Sequence, residues 1–132
     1  MKIFIPADEG FDFYACRKLY KKNQRLVGDD ASFNQVLKNT FFYAFYDDKT
    51  LVGCIYVYKK KEKLYLNGFA ERGFHLFNIQ AVKKVLKWFR CDIYAESIHK
   101  TAIYLLLRCG FKRESKNLFV YYNNGDIAGK GN

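Results

Sequence analysis

The chain is poor in the residues that build metal centres and covalent staples. It has two histidines, His75 and His99, and four cysteines, Cys16, Cys54, Cys91 and Cys109, with no Cys-x-x-Cys pair. No acidic pair stands at ligand spacing either, so a metal site is not expected. The cysteines lie among apolar residues, and nothing in the sequence sets a thiolate beside a base. They read as buried, reduced, structural thiols. No apolar run approaches the ~20 residues of a membrane span. The apolar stretch Met1 to Pro6 is too short for a secretory leader, and Asp8 and Glu9 follow at once. A soluble, cytoplasmic protein is the expectation. There is no internal repeat and no long like-charge tail.

Acid is scarce too: 13 acidic residues face 23 lysines and arginines, for a formal charge of +10 and a pI near 9.4. Such a field keeps a protein soluble and attracts polyanions: nucleic acid, an anionic surface or a phosphate-bearing cofactor. The cations fall in three clusters, around Arg17 to Arg25, Lys59 to Lys63 and Lys83 to Arg90. Aromatics are what the chain has in plenty, with 13 Phe and 11 Tyr in 132 residues. Half of the residues are hydrophobic, enough for the core of one ordinary domain without staples. Tyrosine can bury its ring and keep its hydroxyl wet, which suits the rim of a core or a cleft.

Hydrophobic periodicity orders the chain. Lys2 to Ile5 reads as a strand stopped by Pro6, and Asp8 to Lys22 as a helix with Asp8 as its N-cap. Ser32 to Lys38 is a second helix. Phe41 to Tyr46, Leu51 to Tyr58 and Leu64 to Phe69 form a meander, the middle strand apolar on both faces as a central strand should be. Phe74 to Arg90 is the clearest helix, with Ile79, Val82, Val85, Leu86 and Phe89 on one face and cations opposite. Asp92 to Ala95 is a strand, and Ser97 is placed to cap a helix from Thr101 to Cys109 that Gly110 ends. Phe111 starts a last strand, broken near Lys116 and Asn117 and resuming at Leu118 to Tyr122. The fold class is therefore α/β, in the order β-α-α-β-β-β-α-β-α-β. One domain spans 1–122, and a flexible tail spans 123–132.

This order, with hairpins first and then a right-handed β-α-β crossover, resembles the GNAT (GCN5-related N-acetyltransferase) fold: a mixed, largely antiparallel sheet flanked by helices. Leu51-Val52-Gly53-Cys54-Ile55 resembles the family's third-strand pattern. His99 to Phe111, with Ala102 and Gly110-Phe111 correctly spaced, resembles its last-helix signature. The resemblance implies acetyl-CoA as co-substrate and an amine as acceptor. It implies cofactor contacts from Leu66, Asn67 and Gly68, whose strand amides would polarise the thioester carbonyl. It also implies contacts from Arg72, Gly73, Phe74 and His75 at the diphosphate loop. In that loop His75 and Phe77 replace two small residues of the family pattern. His75 is placed to contact a phosphate, or His75 and Phe77 fill the groove; both readings stay open.

Among candidate catalytic residues, Glu62 matches the spacing of a family base, His99 falls on a conserved family asparagine, and Tyr104 lies two residues before the position of the family's acid. That position is Leu106 here. Three functions stand side by side. The first is a GNAT-type N-acetyltransferase, weak or inactive. The second is a catalytically silent GNAT-fold protein that binds partners or itself, such as an internal virion protein of a phage. The third is a basic nucleic-acid-binding module built on Tyr56, Tyr58 and Lys59 to Lys61.

Overall fold

The computed structural model describes residues 1–28 and 30–123. Seven strands form one sheet in the order β1-β2-β3-β4-β5-β7-β6, with two helices on each face. The strands are β1 (Lys2–Phe4), β2 (Phe41–Asp47), β3 (Thr50–Lys60), β4 (Lys63–Ala70), β5 (Ile93–Glu96), β6 (Lys112–Arg113) and β7 (Leu118–Tyr121). The helices are α1 (Phe13–Val27), α2 (Phe33–Asn39), α3 (His75–Leu86) and α4 (Lys100–Arg108). All strand pairings are antiparallel except β4 with β5. The α/β architecture expected from the periodicity is the one found.

Three local expectations are corrected. Helix α1 starts five residues after Asp8, with Asp12 as its N-cap, accepting from Ala15 N–H at 3.0 Å. The Asp8 carboxylate accepts from Ile5 N–H at 2.8 Å and closes the turn after β1 instead. Ser97 does not cap α4: its Oγ accepts from His99 N–H at 3.2 Å, and the N-cap is His99. The single broken last strand is a hairpin of β6 and β7, because Arg113 reaches back to the Lys116 carbonyl at 2.6 Å and stabilises a reversal. At the end of the domain, Asn123 is tied by its N–H to Asp92 at 2.8 Å and by its side chain to the Cys91 carbonyl at 2.9 Å. The rest of the segment expected as a tail, 124–132, lies outside the described residues.

The pleat divides the aromatics between two cores. Phe42, Ala44, Tyr46, Cys54, Tyr56 and Phe69 pack under Cys16, Leu19, Tyr20, Phe33 and Val36 of α1 and α2. Phe45, Val52, Ile55 and Val57 face the other way, against Ile79, Ala81, Val85 and Leu86 of α3. The β2–β3 register slips at Phe45 and Tyr46, a bulge that lets Val52 and Gly53 both face α3 while Leu51 returns to the α1 side. Three cysteines are buried as expected, but Cys91 is only half-buried. Cys16 and Cys54 stand with their sulfurs 3.8 Å apart, as free thiols.

The hairpin between β3 and β4 fixes which backbone groups point where. Lys61 and Glu62 have φ of 51° and 65°, the turn that matches the twist of the strands, even without glycine. Lys60 opposes Lys63 across that two-residue turn, so it begins the series of hydrogen-bonded pairs. The odd residues of β4 therefore bond to β3. Glu71 keeps the phase, donating to the Val52 carbonyl at 3.0 Å. The even residues, Leu64, Leu66, Gly68 and Ala70, turn their N–H and C=O toward β5.

Candidate active site

Strand β5 meets β4 at only two positions, Leu64 with Ile93 and Tyr65 with Tyr94. Beyond them the parallel strands part. Among the described residues, the inner edge of β4 beyond Leu66 has no strand beside it. Since β4 and β5 run the same way, the starts of α3 and α4 lie at this same end. Both helices start without a side-chain cap and without an acidic residue in the first turn. The first intrahelical bond of α3 is Asn78 N–H to Phe74 C=O, which leaves the amides of His75, Leu76 and Phe77 without intrahelical partners. An open strand edge beside an uncapped helix start can hold an extended ligand by backbone bonds and an anion by helix amides.

The residues expected at the cofactor loop are brought to this end. Arg72 and Gly73 form the turn from β4 into α3, Gly73 with φ of 89°, and Phe74 is the N-cap. His75 is exposed. Phe77 packs against the cluster of Phe45, Val52, Ile55, Ala81 and Val85, while Leu76 is 69% exposed. Phe77 thus belongs to the sheet-side packing of α3. A cavity of about 310 Å³ touches Gly73 to Phe77, but its far wall is Asp47, at the end of β2. The Asp47 carboxylate on its rim works against a phosphate there. The strand edge is the better candidate for the ligand.

Of the three amide-bearing residues on β4, Gly68 points its N–H into the opening. That amide already has a partner: it donates to Oδ1 of the neighbouring Asn67 at 2.8 Å. Asn67 in turn donates from Nδ2 to the Val27 carbonyl, at the end of α1, at 3.2 Å. A Cβ on Gly68 would stand 2.8 Å from the Cys54 carbonyl oxygen, so only glycine lets this strand lie so close.

The expected catalytic residues are scattered. Glu62 sits at the hairpin tip with its side chain 90% exposed and a lysine, Lys59, 3.7 Å away. Six residues of strand, ~20 Å by the strand rise, separate it from Gly68. Tyr104 is 47% exposed on the outer face of α4, where its hydroxyl accepts from Arg108 at 3.0 Å. Leu106, two residues on, packs into the core. His99 alone stands at the opening, as the N-cap of α4 on the β5 side.

Sequence reasoning missed one asparagine, Asn78, and the side-chain bonds of another, Asn67, which it had named only for its strand amide. Asn78 is 7% exposed and donates weakly to the Val52 carbonyl at 3.4 Å. A Cβ on Gly53 would stand 2.5 Å from its Oδ1, so the glycine of the third-strand pattern makes room for this side chain. A polar residue on the apolar face of α3 was the available signal. Asn67 was visible only as a strand residue. On the α1 face, Tyr58, Tyr65 and Tyr94 stack across three strands at 5.9 and 5.6 Å. Lys60 and Lys63 lie over Tyr65 and Tyr94 at 4.9 and 4.7 Å. Tyr56, expected in a nucleic-acid platform, is buried. Lys60 also pairs with Glu96 at 3.0 Å, and that bond raises its pKa. Among the described residues there is no cluster able to hold a metal ion and no helix long and apolar enough to cross a membrane.

These features are those of the GNAT acetyltransferase fold, and the chain has that fold. It superposes on a ribosomal-protein-S5-alanine acetyltransferase from Vibrio fischeri with a TM-score of 0.68 and 12% identity, over 92% of each chain. An acetyltransferase from Agrobacterium tumefaciens matches with a TM-score of 0.65 and 12% identity, over 89% of this chain and 88% of that one. An acetyltransferase from Bacillus subtilis, solved in complex with CoA, matches at 0.55 and 16% identity, over 86% of this chain and 78% of that one. No family model matches the sequence, and no curated protein does.

Proposed function

We propose that the protein is a GNAT-type N-acetyltransferase that moves an acetyl group from acetyl-CoA to an amine. The observation that carries this reading is the parting of β4 from β5 beside the uncapped start of α3. Acetyl-CoA suits that end of the molecule in two ways: a pantetheine arm can bond a free strand edge, and a diphosphate can take helix amides. The net charge of +10 adds attraction for the phosphates. When bound, the cofactor supplies an acetyl group activated as a thioester.

The chain's own residues then act mainly by position. The amides of His75, Leu76 and Phe77 would hold the diphosphate against the opposing charge of Asp47, with Arg72 and His75 exposed beside it. Gly68 N–H faces the opening, where it would meet an acyl oxygen, but it donates to Asn67 Oδ1 instead. The His99 imidazole, across the opening, is the titratable ring available to take a proton from the amine. With no acid at Leu106, transfer relies on holding the amine and the acyl carbon together. Activity is therefore expected to be low. A GNAT fold without transfer activity is the second reading, favoured by the outward-facing Tyr104 and the half-buried Leu106 packed on the core.

Titration with acetyl-CoA, followed by calorimetry and thermal melting, tests the first reading. Ligand at 100 times its Kd stabilises the fold by about 2.7 kcal/mol. Binding at micromolar concentration supports the transferase and leads to an acceptor screen. No binding at millimolar concentration overturns it and leaves the silent fold.

A further inference from the structure

We propose that the Asn67 side chain gates the acyl-carbonyl position, so that the protein in its resting form does not distinguish an acyl thioester from the same cofactor without its carbonyl. This rests on the acetyl-CoA reading and adds to it a residue that controls acyl recognition.

The argument starts from the register. Even residues of β4 turn their backbone toward β5, and β5 pairing stops at Tyr65 and Tyr94. Gly68 N–H is thus a donor that faces the opening with no strand to meet it. An unpaired amide there would be free for an acyl oxygen. Asn67 Oδ1 holds it instead, at 2.8 Å. The orientation of that carboxamide is settled by its two partners. Val27 offers only a carbonyl, so Nδ2 must face Val27 and Oδ1 must face Gly68 N–H. Turning Asn67 away breaks both bonds, and one of them ties β4 to the end of α1. A side chain at position 68 could not take over this role, because a Cβ there would stand 2.8 Å from the Cys54 carbonyl oxygen and 2.9 Å from Ile55 Cγ2. The carboxamide and an acyl oxygen therefore compete for one hydrogen. Asn67 acts through Gly68 as a positioning residue; no contact of its own with the reacting atoms is invoked.

The test compares two probes on the full chain: acetyl-CoA, and S-ethyl-CoA, a thioether of nearly the same shape with no carbonyl. Calorimetry gives the affinity ratio, and isotope-edited infrared spectroscopy of acetyl-CoA labelled at the carbonyl carbon reads hydrogen bonding to that oxygen. With Asn67 in place, both probes are expected to bind alike, and the carbonyl band stays at its solution position. In Asn67→Ala the amide is released. Acetyl-CoA should then bind about five- to tenfold tighter than S-ethyl-CoA, the worth of one backbone hydrogen bond, with the band shifted down. Asn67→Val, with a side chain suited to a strand, gives the same readout as alanine if alanine does not fold. If both probes bind but the ratio and the band are unchanged in Asn67→Ala and Asn67→Val, the gate is overturned and the acetyl-CoA reading stands. A preference for acetyl-CoA with a shifted band in the unaltered chain overturns the gate as well. If neither probe binds any of the proteins, the acetyl-CoA reading falls and the gate falls with it.

Discussion

The two pairs of helices begin in opposite ways. Helix α1 has Asp12 on Ala15 N–H, and α2 has a complete capping box, Ser32 and Gln35 each bonding the other's backbone at 3.2 and 2.9 Å. Helices α3 and α4 have no side-chain cap at all. The core beneath α1 and α2 is also the aromatic one, a set of rings around Phe42 that touches Phe11, Phe33, Tyr56 and Phe69. The α3 and α4 side is packed mostly by aliphatic residues, with fewer buried rings, Phe45, Phe111 and Phe119. One half of the molecule has its polar ends satisfied from within. The other half leaves helix amides and a strand edge open at the same end of the sheet. An uncapped helix start costs stability, and the anionic ligand we propose would offset that cost at this end.

The strongest way to sharpen this contrast is to cut into the aromatic side. Phe42→Ala should cost about 3–5 kcal/mol in denaturant unfolding, because a ring 2% exposed leaves a cavity among four others. Next comes the packing of α3 on the sheet. Gly53→Ala should cost about 1–3 kcal/mol, since its new methyl meets Asn78. The same change made in an Asn78→Ala background should cost less, and equal costs in both backgrounds would remove the claimed contact.

Capping gives the most direct comparison. Ser32→Ala should lose about 1 kcal/mol, while His99→Asp should add about the same by supplying the cap that α4 lacks. If the open helix ends serve an anion, His99→Asp should also weaken acetyl-CoA. A stabilised variant with undiminished binding would break the link between open ends and ligand. The smallest effect is at high pH. Burial pushes the Tyr46 phenol up to about 12, from an ordinary value of 10.0. The folded state then holds a proton that the unfolded state has lost, so the contribution is complete below pH 10 and disappears as the pH rises toward 12. Unfolding titrations across that range should show stability falling, with a shallower slope in Tyr46→Phe.

Much of the architecture was legible because it is written in local periodicity. The alternation in β3 and the apolar stripe of Ile79, Val85 and Leu86 on α3 follow from the pleat and the helical turn, although α3 ends at Leu86, four residues before the expected Arg90. Caps were less legible, since an aspartate near a helix start has several nearby amides to choose from. Asp8 serves Ile5 and Asp12 serves the helix. The candidate site was legible only as a place. Its loop, from Arg72 to His75, and His99 do come to the end of the sheet where β4 and β5 part. Glu62 and Tyr104 matched by spacing along the chain, and spacing does not say which way a hairpin tip or a helix face is turned.

The sequence by itself determined most of the strands and helices and the faces they bury, because each depends on neighbours within a few residues; the β6–β7 reversal was not among them. It also determined the excess of positive charge that sets the kind of ligand the surface attracts. Only the tertiary structure decided that Asn67 reaches Val27 and covers Gly68, and that Asn78 lies on Gly53. Those contacts depend on the register of β3 against β4 and on where α1 and α3 come to rest on the sheet. Residues 26 to 40 positions apart are brought together only when the whole sheet closes, and no local pattern specifies which side chain they will present to each other.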